Sequence, residues 1–272
     1  MRKFCSVHTH SLMCDGKNTL AEMARAACEA GVASFGASGH SHTPIPEDAG
    51  CVLPADMTAY RGEVLRLRAE YAGRMDVLLG IELDNCADVS PEGFDYWIGS
   101  AHRLKGPEGQ FYTVDWDAET LAACCETAFG GDGCAMAERY YEEVCRMAAM
   151  RPTILGHIDL ITKFNEGTPL FDEDSPRYRA AALAALHAAD PQATLLEINT
   201  GAMSRGYRHT PYPVLFLLEE WRTMGGRVIL TADAHSAAAI VFGYDRAAAL
   251  ARAAGFGCSA VLTAAGAEER PL

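Results

Sequence analysis

The 272-residue chain contains no apolar run that approaches the ~18 residues of a membrane-spanning helix. Its first residues turn polar within a few positions, so we expect no secretion signal. It also contains no C-x-x-C pair, and several of its ten cysteines fall inside predicted strands or helices. A free cysteine in such a position behaves as a small hydrophobe. Together these absences predict a reduced, cytoplasmic enzyme.

Basic residues are scarce as well. The chain has 23 Lys and Arg against 36 Asp and Glu, which gives a net charge of −13 and a pI of about 5.1. Proteins that bind nucleic acid or a membrane surface need a basic face, so we expect neither partner. A small phosphorylated substrate remains compatible with this charge, because metal ions can reverse the field within one pocket.

No G-x-G-x-x-G motif follows the first predicted strand, which argues against a dinucleotide-binding domain. Instead, short apolar runs alternate with alanine-rich helical segments. The runs span residues 4–8, 34–39, 77–83, 96–101, 153–158, 195–199 and 227–231. This alternation predicts a parallel sheet, either closed or doubly wound. Without a low-complexity linker, we expect one domain over 1–272, with a loose tail at 263–272.

Histidines and acids are concentrated where these runs end. The residues concerned are His8, His10, His40, Glu82, His102, His157, Asp233 and His235. In a (β/α) barrel the carboxyl ends of the strands converge on one face, so these side chains could meet in one pocket. Imidazole and carboxylate are the usual ligands of Zn, Mn and Fe, and a carboxylate such as Glu82 can bridge two metal ions. The pattern therefore predicts a metal-dependent hydrolase.

Eight short motifs resemble those of the polymerase and histidinol phosphatase (PHP) superfamily, and within it the monofunctional histidinol-phosphate phosphatases. In chain order they are V-H-T-H at 7–10, D-G at 15–16, S-G-H-S at 38–41, G-I-E at 80–82, G-S-A-H at 99–102, G-H-I-D-L at 156–160, E-I-N-T at 197–200 and D-A-H-S at 233–236. The resemblance implies an α/β fold, a distorted seven-stranded (β/α) TIM-like barrel. It also implies two or three divalent metal ions, which could be Zn, Mn or Fe.

The resemblance further implies how the ligands are shared among the metals. His8, His10, Glu82 and Asp233 would hold the first metal. Glu82 would bridge to a second metal, completed by His102 and His157. Asp15, His40 and His235 would hold the third. Asp15 occupies a position where other members of the superfamily often carry histidine.

The implied reaction is hydrolysis of a small phosphate monoester by a metal-bridging hydroxide held by Glu82, Asp233 and His10. Metal coordination lowers the pKa of water toward neutrality, so no separate general base is needed. No Ser-His-Asp or Cys-x5-Arg arrangement competes for the role of nucleophile. The resemblance makes L-histidinol phosphate the expected substrate, with L-histidinol and phosphate as products, in histidine biosynthesis.

Three further residues are candidates for binding this substrate. Arg205 resembles the phosphate-binding arginine of the family, and Lys163 stands where relatives often have arginine. Lysine supplies a point charge where arginine offers a bidentate fork. His42 could contact the substrate or protonate the leaving alkoxide.

Other substrates and another hydrolase class stay open. A PHP phosphoesterase could act on nucleotides or phosphotyrosine, and an amidohydrolase-type enzyme also begins with His-x-His. The chain could be a monomer or a homodimer.

Overall fold

The computed structural model describes residues 4–45 and 50–272. The strands are β1 Ser34–Ala37, β2 Asp76–Asp84, β3 Tyr96–Ser100, β4 Arg103–Lys105, β5 Phe111–Thr113, β6 Ile154–Leu155, β7 Leu195–Asn199, β8 Arg227–Thr231, β9 Cys258–Thr263 and β10 Gly266–Pro271. The helices are α1 Leu20–Glu29, α2 Met57–Tyr71, α3 Ala118–Phe129, α4 Gly133–Ala149, α5 Pro176–His187, α6 Gly201–Ser204, α7 Leu215–Thr223 and α8 Tyr244–Ala253.

One curled sheet organises the chain, with the strand order β1-β2-β3-β6-β7-β8-β9-β10. All neighbours from β1 to β9 run parallel, and β4 and β5 form a separate antiparallel hairpin. Helices connect most successive parallel strands, as this topology requires. The arrangement confirms the predicted α/β class and the distorted TIM-like barrel.

The N-terminal segment lies between the two sides of the barrel. Ser6 forms a parallel bridge with Phe35 of β1, and Thr9 forms another with Ala234, just after β8. The predicted first strand is therefore present as two isolated bridges rather than as a continuous ladder. Because this segment joins β1 to the end of β8, it brings the first and last predicted ligands to the same place.

Side chains on the inner face of the strands change from apolar to polar along the barrel. On β3, Ile98 is fully buried in an apolar cluster, and Ser100 follows two residues later. On β8, Ile229 belongs to the same cluster, and Thr231 follows. Because strand side chains alternate with a period of two, Ser100 and Thr231 lie on the same face as Ile98 and Ile229 but nearer the carboxyl ends of their strands. The carboxyl ends of these strands therefore present polar side chains next to the apolar core of the barrel.

The first helix shows how local sequence sets the element boundaries. Thr19 caps α1 by accepting a hydrogen bond from the Glu22 backbone nitrogen, while the Glu22 carboxylate accepts from the Thr19 nitrogen. This is the capping box that the sequence predicts.

Among the described residues, no helix is both long and apolar enough to cross a bilayer.

The end of the chain differs from the prediction. Residues 263–272 were expected to be loose, but residues 266–271 form β10, which pairs antiparallel with β9 over six residues. The polar composition of this segment gives a weak strand signal. The pairing is instead supplied by the edge of β9, which offers unpaired backbone groups to the returning chain.

We expect Gly80→Ala to destabilise the fold. A Cβ atom on Gly80 would lie 2.2 Å from Cζ of Tyr96, whose buried ring is held by a 2.6 Å hydrogen bond from its hydroxyl to the Val7 carbonyl. Overpacking of this kind costs about 1–3 kcal/mol. Thermal or urea unfolding measures the loss. Gly62→Ala, in the open interior of α2, is the control, and it should gain about 0.5–1 kcal/mol. Equal stability of the two variants would contradict the packing described.

Candidate metal centre

All nine predicted metal ligands lie together at the carboxyl end of the barrel. They form four overlapping groups, and within each group the ligand atoms lie within 4.8 Å of one another. The groups are His10/Asp15/His40/His235, His8/His10/Asp233, His8/Glu82/His157 and His40/Glu82/His102. Residues from opposite ends of the sequence thus share one site, because the bridge between Thr9 and Ala234 places His8 and His10 beside the segment that follows β8.

Glu82 is the centre of this cluster, and its two carboxylate oxygens face different histidines. Oε2 lies 3.2 Å from His8 Nε2 and 3.0 Å from His40 Nδ1. Oε1 lies 3.1 Å from His157 Nε2 and 3.4 Å from His102 Nε2. A carboxylate with histidines on both oxygens has the arrangement that a bridging ligand requires.

Two aspartates add further carboxylates to the site. Asp233 Oδ1 lies 3.1 Å from His10 Nε2, and Asp15 Oδ2 lies 3.0 Å from His235 Nε2. Asp233 has a φ of 46°, an uncommon conformation for a residue with a side chain. Such strain is concentrated at functional sites, where the surrounding structure holds it in place.

The donor set fits metal ions. His8 Nε2, His10 Nε2 and Glu82 Oε2 are buried. They lie close to other polar atoms of the cluster, but within the described part of the chain none of the three forms a hydrogen bond of suitable geometry. A buried polar atom without a partner costs about 1–3 kcal/mol. Three such atoms, two from the N-terminal V-H-T-H motif and one from β2, converge on the same small volume, and a cation among them would satisfy all three.

Charges within the cluster shift the protonation of its members. Burial opposes protonation of His8, but the carboxylates of Glu197 and Glu82 outweigh it and raise the pKa of His8 well above its ordinary value. Burial also opposes protonation of His102, yet Glu82 and Asp84 raise its pKa to about 10. Metal ions therefore compete with protons for these imidazoles, since only the neutral ring is a ligand.

Two acids that orient the ligands were not among the predicted site residues. Glu197 accepts hydrogen bonds from His8 Nδ1 at 2.5 Å, from the His157 backbone nitrogen at 2.8 Å and from Thr231 Oγ1 at 2.6 Å. Asp84 Oδ2 lies 3.0 Å from His102 Nδ1. Carboxylates in this position fix the ring orientation of a metal-binding histidine. The available signal was strand alternation, because Asp84 lies two residues beyond Glu82 on the same strand face.

We expect Glu197→Gln to weaken metal binding about 10- to 100-fold, because the amide cannot hold the His8 ring as a carboxylate does. Isothermal titration of the stripped protein with Mn or Zn measures the change. Glu220→Gln is the matched control: Glu220 makes the same kind of contact with His187, at 2.7 Å, on the protein surface. Equal metal affinity in both variants would contradict the orienting role of Glu197.

The three predicted substrate-binding residues are placed differently from one another. Arg205 lies in the metal pocket, where it donates to Asp233 Oδ2 at 3.1 Å and to His235 Nδ1 at 2.8 Å. Lys163 lines the same pocket, with Nζ 2.6 Å from the carbonyl oxygen of Asp115.

The structure does not bring the third, His42, into this pocket. Its Nδ1 lies 2.8 Å from Asp88 Oδ1, and it is absent from the described lining of the metal pocket. In this segment the last residue that bridges to the sheet is His40. Beyond it the chain is no longer a strand, so His42 does not share the face of His40 as it would in a continuing strand.

Known proteins resemble this chain over most of its length. The model of the PHP domain family matches residues 6–201. The histidinol-phosphatase of Bacillus subtilis (strain 168) is 25% identical over 265 residues, which cover 88% of this chain and 96% of the relative. A Deinococcus radiodurans protein named "Probable histidinol-phosphatase" is 29% identical over 259 residues, which cover 89% of this chain and 90% of the relative.

Solved structures show the same fold. The histidinol phosphate phosphatase of Lactococcus lactis subsp. lactis Il1403, in complex with zinc, L-histidinol and phosphate, superimposes with a TM-score of 0.67 at 17% identity. The match covers 98% of this chain and 100% of that one.

Proposed function

The chain belongs to the PHP domain family, and on this premise we propose that it is a metal-dependent phosphatase that hydrolyses L-histidinol phosphate to L-histidinol and phosphate. Both relatives compared above carry the name histidinol-phosphatase and align over almost their whole length. The Lactococcus lactis structure, which shares the fold, contains zinc together with the two products of this reaction.

One observation in the structure carries the proposal. The cavity that contains the ligand cluster is also lined by two cationic side chains, Arg205 and Lys163. A phosphate monoester is a dianion whose oxygens match the planar fork of arginine and the point charge of lysine. A hydrolytic site for a neutral ester or amide would have no need of two cations beside the metals.

The cofactor part of the proposal is two or three divalent metal ions, which could be Zn, Mn or Fe. His8, His10, Glu82 and Asp233 would hold the first. Glu82, whose Oε1 lies close to both His102 and His157, would hold the second together with these histidines. Asp15, His40 and His235 would hold the third. When bound, such ions supply a hydroxide nucleophile at neutral pH and stabilise the charge that develops on the transferred phosphoryl group.

The protein side chains then hold this chemistry in position. Ser100 donates to Glu82 Oε1 at 2.6 Å and fixes the orientation of the central carboxylate. Arg205 is held against Asp233, which keeps its guanidinium directed into the pocket. Burial of the cluster strengthens each of these electrostatic contacts, because little water competes with them. His10 and Asp233 lie beside Glu82 on the side where the nucleophile is expected.

The substrate is tested by phosphate release from a panel of monoesters, with the enzyme supplied with Mn or Zn. The panel contains L-histidinol phosphate, tyrosine phosphate and a nucleoside monophosphate. We expect kcat/KM for L-histidinol phosphate of ~10⁴ M⁻¹s⁻¹ or above, well ahead of the others. A better rival would keep the metal-dependent phosphatase and replace the substrate. No turnover of any ester by the metal-loaded enzyme would overturn the proposal.

A further inference from the structure

A second compartment adjoins the metal pocket, and nothing in the metal chemistry requires it. The two cavities share part of their lining, including His40, His102, Asp115 and Trp116. The second, here called the side compartment, is lined in addition by Ser41, Asp84, Arg103 and Thr113, among others. A phosphate ester bound at the metals has an organic half that must occupy neighbouring space, and the side compartment is continuous with that space.

Asp115 is the carboxylate at the junction of the two compartments. It belongs to none of the candidate ligand groups found among the described residues. Its side chain is 26% exposed, so it is accessible from the cavity. In the part of the chain that the structure describes, its carboxylate contacts Lys163 Nζ at 3.4 Å, while the shorter 2.6 Å contact of Nζ goes to the Asp115 carbonyl oxygen. The second carboxylate oxygen is therefore available to a ligand.

Trp116 follows Asp115 at the mouth of the same cavity. Trp116 is 70% exposed although it lines both compartments. An aromatic ring at the edge of a pocket can cover a planar or cationic group by stacking or by cation–π contact. Thr113, two residues before Asp115, lines the side compartment from the end of β5. The β4–β5 hairpin and the segment after it thus supply one wall of this compartment.

We propose that Asp115 and Trp116 form the subsite for the organic half of the substrate, in which the Asp115 carboxylate binds an alkylammonium group and the Trp116 indole covers the attached chain or ring. This inference rests on the proposed function, because it assigns the part of an amino-alcohol phosphate that the metals do not bind. The site is then bipolar: metals, Arg205 and Lys163 bind the phosphate, and a carboxylate binds the cation at the other end. Asp115 is thereby a specificity-determining residue.

The test compares two esters in the wild type and in Asp115→Asn. One ester is L-histidinol phosphate; the other is its deamino analogue, which keeps the imidazole and the phosphate. We expect kcat/KM of the variant to fall about 10- to 100-fold for L-histidinol phosphate, as for a lost charge-assisted hydrogen bond, and less than about threefold for the analogue. Product inhibition by L-histidinol should weaken by a similar factor. Asp117→Asn, two residues away, is the matched control, because asparagine caps α3 as well as aspartate does.

The outcomes separate this inference from the proposed function. An equal loss on both esters would mean that Asp115 acts only by holding Lys163, and would overturn the subsite. No loss on either would overturn it as well. Absence of turnover of both esters by the wild type would overturn the proposed function and this assignment with it.

Trp116→Ala gives an independent reading, since this exposed side chain can be removed without disturbing the core. We expect KM for L-histidinol phosphate to rise about 3- to 10-fold with kcat little changed. An unchanged KM would remove the indole from the subsite.

Discussion

Replacing Glu82 by glutamine is expected to lower kcat/KM for phosphate release by about three orders of magnitude or more. Glu82 is fully buried and has histidines near both of its carboxylate oxygens, so its negative charge faces ligands on both sides of the cluster. A neutral amide cannot balance two cations, and one end of it presents N–H groups to imidazole nitrogens. Metal content should fall together with activity.

The measurement is kcat/KM with metal analysis of the same purified sample. Glu138→Gln serves as the control, because Glu138 is an exposed residue of α4 that pairs with Arg177 at the surface. Unfolding curves show whether the Glu82 variant remains folded. A folded Glu82→Gln protein with full metal content and full activity would contradict the central place of this carboxylate.

Replacing Arg205 by alanine is expected to lower kcat/KM about 10²- to 10³-fold while the metals stay bound. The guanidinium lies in the metal pocket and is oriented by Asp233, so it can meet phosphate oxygens as negative charge develops. Asp233 keeps its contact with His10 in the variant, which is why we expect metal retention. The loss should be seen for every phosphate ester, in contrast to the selective loss expected for Asp115→Asn.

Arg205→Lys distinguishes the two contributions of this side chain. Lysine retains the charge but cannot make the bidentate contact, so partial recovery is expected. If Arg205→Ala loses its metals, the effect belongs to the site architecture rather than to phosphate binding. A variant within threefold of the wild type would contradict a role for Arg205 at the phosphate.

Strand–helix alternation predicted the parallel sheet, and the resemblance of the eight motifs implied the barrel. The ligand cluster was predictable because the carboxyl ends of parallel strands meet at one face of a barrel. The order of the motifs along the chain therefore places His8 and Asp233 in one pocket although 225 residues separate them. The structure brings them to 3.6 Å, between His8 Nε2 and Asp233 Oδ1.

What escaped prediction depends on contacts that leave no local pattern. His42 continues the spacing of His40, but the strand has already ended there, so the side chain meets Asp88 instead. Asp115 reaches the pocket only because the β4–β5 hairpin folds back toward Lys163, 48 residues further along the chain. Residues 266–271 pair with β9 although their own sequence is polar. Each of these features depends on contacts between residues that lie far apart in the sequence, and no local sequence pattern marks such contacts.

The most direct test of the account is to remove the metals and restore them, following bound metal and phosphate release on the same sample. Chelation should abolish hydrolysis of L-histidinol phosphate, and addition of Mn or Zn should restore it as two to three equivalents bind. Hydrolysis that continues at full rate in the metal-free protein would contradict the claim that the nine clustered side chains form a catalytic metal centre.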